Sequence, residues 1–146
     1  MKKNCIGITG STGLIGSNFI KEFSSYKFDK FRGNILSKSQ VDNWVKNGKF
    51  NIIIHLAAKV PTSYVNKNFK KSRNINYQGT INLLKSALRL KKNQIKWFFF
   101  ASTSHVYKSQ NKKISEKSLI RPISYYGKTK YLAEQYIKKK KINYCI

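Results

Sequence analysis

The segment Thr9-Gly10-Ser11-Thr12-Gly13-Leu14-Ile15-Gly16 constrains this chain more than any other. It follows a short apolar run, Asn4 to Ile8, and opens a stretch in which Leu14, Ile15, Phe19, Ile20 and Phe23 recur at helical spacing. Strand, glycine turn and helix in that order make a phosphate cradle. One glycine lets the chain turn sharply, one lets backbone approach a pyrophosphate, and one lets the helix pack on the strand. The helix N-terminus adds unpaired N–H groups and the positive end of a dipole. The spacing is G-x-x-G-x-x-G, one residue longer between the first two glycines than the commonest dinucleotide fingerprint. A second phosphate pattern fails: Gly127-Lys128-Thr129 matches the end of a P-loop, but Pro122 stands where that loop needs its first glycine.

The alternation continues downstream. Lys27 to Ile35 carries a weak strand signal, and Ser37 or Ser39 is placed to cap a helix that bears Val41, Trp44 and Val45 and ends near Gly48. Phe50 to Leu56 is a continuous apolar run of the kind buried on both faces of a parallel sheet. The stretch from about Asn66 to Leu90 reads as a long helix, with Ile81, Leu83, Leu84 and Ala87 in its apolar stripe and Gly79 as a point of close packing. Ile95 to Ser102 reads as another buried strand, Lys108 to Pro122 as a polar loop, Tyr125 to Lys141 as a helix with a basic end, and Ile142 to Ile146 as a last strand. This order predicts an α/β fold: a Rossmann-like, doubly wound parallel sheet with helices on both faces and right-handed crossovers. A chain of 146 residues has room for one such domain, 1–146, and ends where the sheet would be expected to continue.

Charge narrows the partners. The chain has 30 Lys+Arg against 5 Asp+Glu, a net +25 whose field attracts polyanions. Only Arg32, Arg73, Arg89 and Arg121 are arginine, the residue preferred for reading phosphates and base edges. The remaining basic residues are lysines in an Asn- and Ile-rich chain, a mix that low-GC coding yields without any partner. No specific nucleic-acid function is therefore expected. No stretch approaches the roughly 18 apolar residues of a membrane span, and the apolar start after Met1-Lys2-Lys3 is interrupted at Gly7 and Gly10. A cytoplasmic protein without membrane attachment is expected. Cys5 and Cys145 read as reduced packing residues, and neither His55 nor His105 has a paired ligand at metal spacing, so no metal site is expected.

An acid–base pair stands in the last predicted helix. Tyr126 and Lys130 lie four residues apart, on one helical face. A phenol titrates near 10, and a neighbouring ammonium is expected to lower that value and let Tyr126 exchange a proton with an alcohol or carbonyl. Tyr136 and Lys140 repeat the spacing, so the pattern alone does not choose between them. Ala101-Ser102-Thr103-Ser104-His105-Val106-Tyr107 ends a predicted strand at the sheet edge where open α/β folds place ligands. A hydroxyl there can donate to a substrate oxygen, or simply cap the strand-to-loop transition.

Five motifs stand in a familiar order: T-G-x-x-G-x-x-G at Thr9 to Gly16, His55-Leu56-Ala57-Ala58, Asn76-Tyr77-Gln78-Gly79-Thr80, Ser102-Thr103-Ser104-His105-Val106-Tyr107 and Tyr126-x-x-x-Lys130. Together they closely resemble the extended short-chain dehydrogenase/reductases, the NAD(P)-dependent epimerase/dehydratase group that acts mainly on nucleotide sugars. The resemblance runs from about residue 4 onward and selects Tyr126 over Tyr136. It implies Tyr126 as general acid/base, Lys130 as its partner and ligand of the nicotinamide ribose, and Thr103 as the hydroxyl on the reacting sugar oxygen.

The resemblance further implies that Gly10, Thr12, Gly13, Leu14, Ile15 and Gly16 hold the pyrophosphate, and that Leu56, Ala57 and Ala58 line the cofactor's other side. Asn34 and Ile35 fall near the adenine, where the family often has Asp before an apolar residue. NAD or NADP is the implied cofactor, a nucleotide sugar the implied substrate, and a homodimer through the long helix and the Tyr126 helix the implied assembly. Whole members are about twice as long, so the resemblance implies that the C-terminal substrate region is missing from the 146 residues. Two other readings stand beside an enzyme: a non-catalytic NAD(P)-binding module, and a polyanion-binding protein.

Overall fold

A computed structural model of the chain describes residues 5–60, 69–90 and 94–146. Strand β1 (Cys5–Thr9) leads through the glycine turn into α1 (Leu14–Glu22), and β2 (Lys27–Lys30) then lies parallel beside β1. Helix α2 (Lys38–Asn47) crosses back to β3 (Ile52–His55) on β1's other side. Of the two candidate caps it is Ser37 that caps α2, accepting from the Gln40 N–H. A long helical segment follows: α3 (Phe69–Arg73), a π-helical turn (Asn74–Gln78) and α4 (Gly79–Arg89). The first residues predicted for it, 66–68, lie outside the described residues. Strand β4 (Trp97–Phe100), α5 (Tyr125–Lys138) and a short edge strand β5 (Tyr144–Cys145) complete a five-stranded, all-parallel sheet in the order β2-β1-β3-β4-β5.

Strand alternation divides the core into two layers. Ile6, Ile8 and Ile54 pack with Phe19 and Ile20 of α1 on one face. On the other, Ile53, Phe98 and Phe100 pack against Val41 and Val45 of α2, Leu83 and Leu84 of α4, and Ala133 and Ile137 of α5. Helices thus cover both faces, unequally. The expectation that Ile95 to Ser102 is wholly buried is corrected by this asymmetry. Trp97 and Phe99 share the face of Ile52 and Ile54, yet lie outside the α1 cluster and are 49% and 38% exposed. Cys145 is corrected too: on the edge strand it is exposed and packs nothing away from water.

Strand order reverses between β1 and β3: the chain leaves β1 toward β2 and later leaves β3 toward β4. At such a switch point the two outgoing loops part and open a crevice at the carboxyl ends of the strands. Here the parting loops are the glycine turn after β1 and residues 56–59 after β3.

Candidate active site

The crevice is a cleft of about 610 Å³. Of the residues predicted to hold a cofactor, Gly10, Thr12, Gly13, Asn34, Ile35, Leu56, Ala57 and Ala58 line it, joined by Phe31, Arg32 and Lys59. Gly10 turns with φ +75, and a Cβ on it would stand 2.6 Å from the Ala57 nitrogen, so the two crevice walls touch there as only glycine permits. Gly13 differs: a Cβ would meet only the Gly10 carbonyl oxygen, at an unstrained 3.4 Å. Nothing in the packing requires glycine at 13, and it borders the cleft, which is what close approach of a diphosphate needs. It is also the N-cap of α1 and offers no side-chain cap, so the first-turn N–H groups are left for an anion. The chain therefore fits the dinucleotide its glycines suggest. Leu14, Ile15, Gly16, Tyr126 and Lys130 do not line the cleft: the first two are 82% and 65% exposed, Gly16 is buried beneath the turn, and Tyr126 and Lys130 lie buried in the helix beyond β4.

A buried polar chain ties the two walls to the Tyr126 helix. Thr80 Oγ1 donates to the Asn76 carbonyl at 2.7 Å, so its 2.9 Å bond to His55 must run from the imidazole Nε2–H to the hydroxyl. Nδ1 of His55 then accepts from Thr9 Oγ1 at 2.6 Å, and that hydroxyl accepts the Ala57 N–H at 3.3 Å. Asn76, presented by the π-helical turn, holds Lys59 from both sides, accepting its N–H at 2.7 Å and donating to its carbonyl at 3.0 Å. The Asn76 amide also donates to Thr129 Oγ1 at 3.2 Å, which donates to the Tyr126 carbonyl at 2.8 Å.

Complete burial, aided by the Lys130 charge, lowers the His55 pKa from 6.5 to about 3. The folded chain thus resists protonation that the unfolded chain accepts, so His55 supports stability above pH 6.5, and that support is lost as pH falls toward about 3. With only five Asp+Glu in the chain, few carboxylates mask the effect. Denaturant unfolding between pH 7 and pH 4 should show stability falling by roughly 1 kcal/mol per pH unit below 6, and His55→Gln should flatten that slope.

The predicted catalytic residues converge on the carboxyl end of β4. Thr103 Oγ1 accepts the His105 N–H at 3.3 Å and caps a 3-10 turn (Ser104–Val106). Helix α5 starts against that turn, its N-cap Ser124 accepting the Gly127 N–H at 3.0 Å. A Cβ on Gly127 would overlap the His105 carbonyl oxygen, so glycine sets how closely the helix approaches. The His105 ring stands edge-on to Tyr126 with centroids 6.0 Å apart. Lys130, one turn on, is buried with Nζ 4.0 Å over the Phe100 ring. Ser102 donates to Glu134, which also pairs with Lys138 at 3.6 Å, so its hydroxyl is turned into the helix. In the alternative pair, the Lys140 ammonium lies 4.6 Å over the Tyr136 ring, which packs against the core.

Electrostatics here correct one expectation. Burial raises the Tyr126 phenol above its usual value near 10, the reverse of the lowering expected from the spacing of Tyr126 and Lys130. Lys130 is itself lowered from 10.5 to about 8 by burial, against the favourable pull of Glu134. In this structure the ammonium lies over Phe100, and desolvation dominates both groups. A lowered lysine is a cost at neutral pH that disappears only as pH rises through 8 toward 10.5. Lys130→Met is therefore expected to raise the melting temperature at pH 7 by several degrees, on the order of 1–3 kcal/mol. Thermal melts of the two proteins check this.

Sequence reasoning missed Thr9, Thr80 and Thr129 as members of the polar chain. Single hydroxyls in buried strands and helices leave no periodic trace, and only packing shows what they bond. Among the described residues no group of three or more His, Cys, Asp or Glu could hold a metal ion. No described helix is long and apolar enough to cross a membrane.

A doubly wound α/β domain with a glycine-lined crevice at its switch point is a dinucleotide-binding domain. Residues 6–146 match the family model described as the NAD dependent epimerase/dehydratase family, and the chain belongs to that family. It is 28% identical to the dTDP-D-glucose 4,6-dehydratase of Dictyostelium discoideum, over 89% of this chain and 38% of that protein. It is 25% identical to methionine adenosyltransferase 2 subunit beta of Danio rerio, over 89% of this chain and 42% of that one. The dTDP-4-dehydrorhamnose reductase of Bacillus anthracis, solved in complex with NADP, superposes with a TM-score of 0.86 at 27% identity, covering 99% of this chain and 52% of its own. The chain thus spans about half the length of that structure, and less of these curated relatives.

Proposed function

We propose that this domain binds NAD or NADP in the crevice and acts in the epimerisation, dehydration or reduction of a nucleotide sugar, with Tyr126 as general acid/base. The observation that carries this reading is the convergence of Thr103, Tyr126 and Lys130 on the sheet edge that also carries the glycine-lined cleft. The relatives named above, a dTDP-sugar dehydratase and a dTDP-sugar reductase, support the substrate class.

When bound, the nicotinamide supplies the hydride chemistry. The residues of this chain do the rest. The turn at Gly10 to Gly13 and the first N–H groups of α1 hold the diphosphate. Leu56, Ala57 and Ala58 form the opposite wall, fixed through Thr9 and His55. Thr103 Oγ1 already accepts from the backbone, so its own proton is left to donate to a sugar hydroxyl or carbonyl oxygen. Tyr126 moves the proton at that oxygen. Burial raises the Tyr126 pKa in this structure, so proton transfer near neutral pH would call for added positive charge beside the phenol when cofactor and substrate are bound.

The test is to incubate the protein with NAD+ or NADP+ and UDP- or dTDP-sugars, and separately with NADH or NADPH and the corresponding keto-sugars, following nucleotide absorbance and the sugar by NMR. Formation of an epimerised, dehydrated or reduced sugar is expected. A second reading, a cofactor-binding subunit without turnover of its own, is favoured by the similarity to a methionine adenosyltransferase beta subunit. Tight nucleotide binding with no change in any sugar would select it.

A further inference from the structure

The loop after β2 bears on which dinucleotide the cleft prefers; this inference rests on the dinucleotide reading above. About twenty residues past the glycine turn, such folds place an acid on the 2′-hydroxyl of the adenine ribose, or a guanidinium where that oxygen carries a phosphate. The acid at that distance here is Asp29, and it is occupied elsewhere. It pairs in register with Gly7 on the α2 side of the sheet, and its Oδ1 accepts the Trp44 indole N–H at 2.7 Å. Among the described residues no carboxylate lines the cleft. The charged residues that line it among those described are Arg32 and Lys59.

Helix α2 shapes the loop that carries Arg32. Gln40 Oε1 accepts the Asn34 N–H at 2.7 Å, and a Cβ on Gly33 would stand 2.7 Å from that same oxygen. Asn34 Oδ1 accepts the Leu36 N–H at 2.9 Å, which keeps the Asn34 oxygen inside its own turn rather than over the cleft. Arg32 is exposed at the rim and forms no ion pair among the described residues. A guanidinium offers a forked set of donors to phosphate oxygens, and nothing acidic in the cleft opposes a dianion.

We propose that this cleft selects the 2′-phosphorylated dinucleotide, NADP(H), over NAD(H), and that Arg32 is the specificity-determining residue. The experiment is a fluorescence titration of the protein with NADPH and with NADH at matched ionic strength. Arg32→Ala and Lys113→Ala are run alongside, the latter removing one charge from an exposed loop outside the cleft. NADPH is expected to bind at least about 10-fold more tightly. Arg32→Ala should bring the two affinities within about 3-fold, while Lys113→Ala keeps the preference. Equal or tighter NADH binding, or an equal loss of preference in Lys113→Ala, overturns the assignment while leaving the dinucleotide reading intact. Binding of neither nucleotide overturns both.

Discussion

Tyr126→Phe should lower turnover by about two to four orders of magnitude while leaving dinucleotide affinity within about threefold of the native value. Removing the phenolic oxygen removes the proposed proton carrier and nothing else. The ring stays 8% exposed against the His105 turn, and its hydroxyl makes no hydrogen bond among the described residues, so the fold does not depend on it. Steady-state rates with the converted sugar, paired with nucleotide titrations, separate the two effects. Undiminished turnover in Tyr126→Phe removes the phenol from the mechanism, and Tyr136 would not replace it, since that ring faces Lys140.

Gly16→Ala should destabilise the chain strongly, although it adds a single methyl group. In an ordinary helix interior, alanine in place of glycine is worth up to about 1 kcal/mol of stabilisation. Here the added Cβ would overlap the Gly10 carbonyl oxygen and stand 2.9 Å from the Ser11 Cα. Gly10 cannot retreat, because its other side abuts the Ala57 backbone. The expected result is a loss of roughly 1–3 kcal/mol together with nucleotide binding, read by thermal melting and titration. Gly13→Ala separates packing from recognition. Its Cβ meets nothing closer than 3.4 Å, so the melting temperature should hold while affinity falls, because the methyl would stand where the diphosphate approaches. Equal destabilisation by the two substitutions would show that the turn serves the fold alone.

The architecture was legible because burial in a parallel sheet leaves a local mark. Ile52-Ile53-Ile54 and Trp97-Phe98-Phe99-Phe100 are apolar runs bounded by polar segments, and both became strands. Even so, apolarity could not distinguish Phe98 from Phe99. One meets α4 and α5 and the other faces outward, because α1 covers only part of its side of the sheet. The turn glycines were legible for the same local reason, since backbone approach and positive φ demand glycine at particular offsets. The polar chain through Thr9, His55, Thr80, Asn76 and Thr129 was not, because directly bonded members lie up to 53 residues apart and each is ordinary alone.

By itself the sequence determined the alternation of strand and helix, the phosphate turn after β1, and the pairing of a phenol with an amine on one helical face. Each is a short-range property, written in the spacing of a few neighbouring residues. Tertiary structure decided the charges and the contacts. It raised the Tyr126 phenol where spacing suggested the opposite, kept His55 neutral, turned Ser102 toward Glu134, and drew Asp29 to Trp44, leaving Arg32 at the cleft. Those outcomes depend on desolvation and on partners brought in from distant elements, and both exist only once the chain has closed around them.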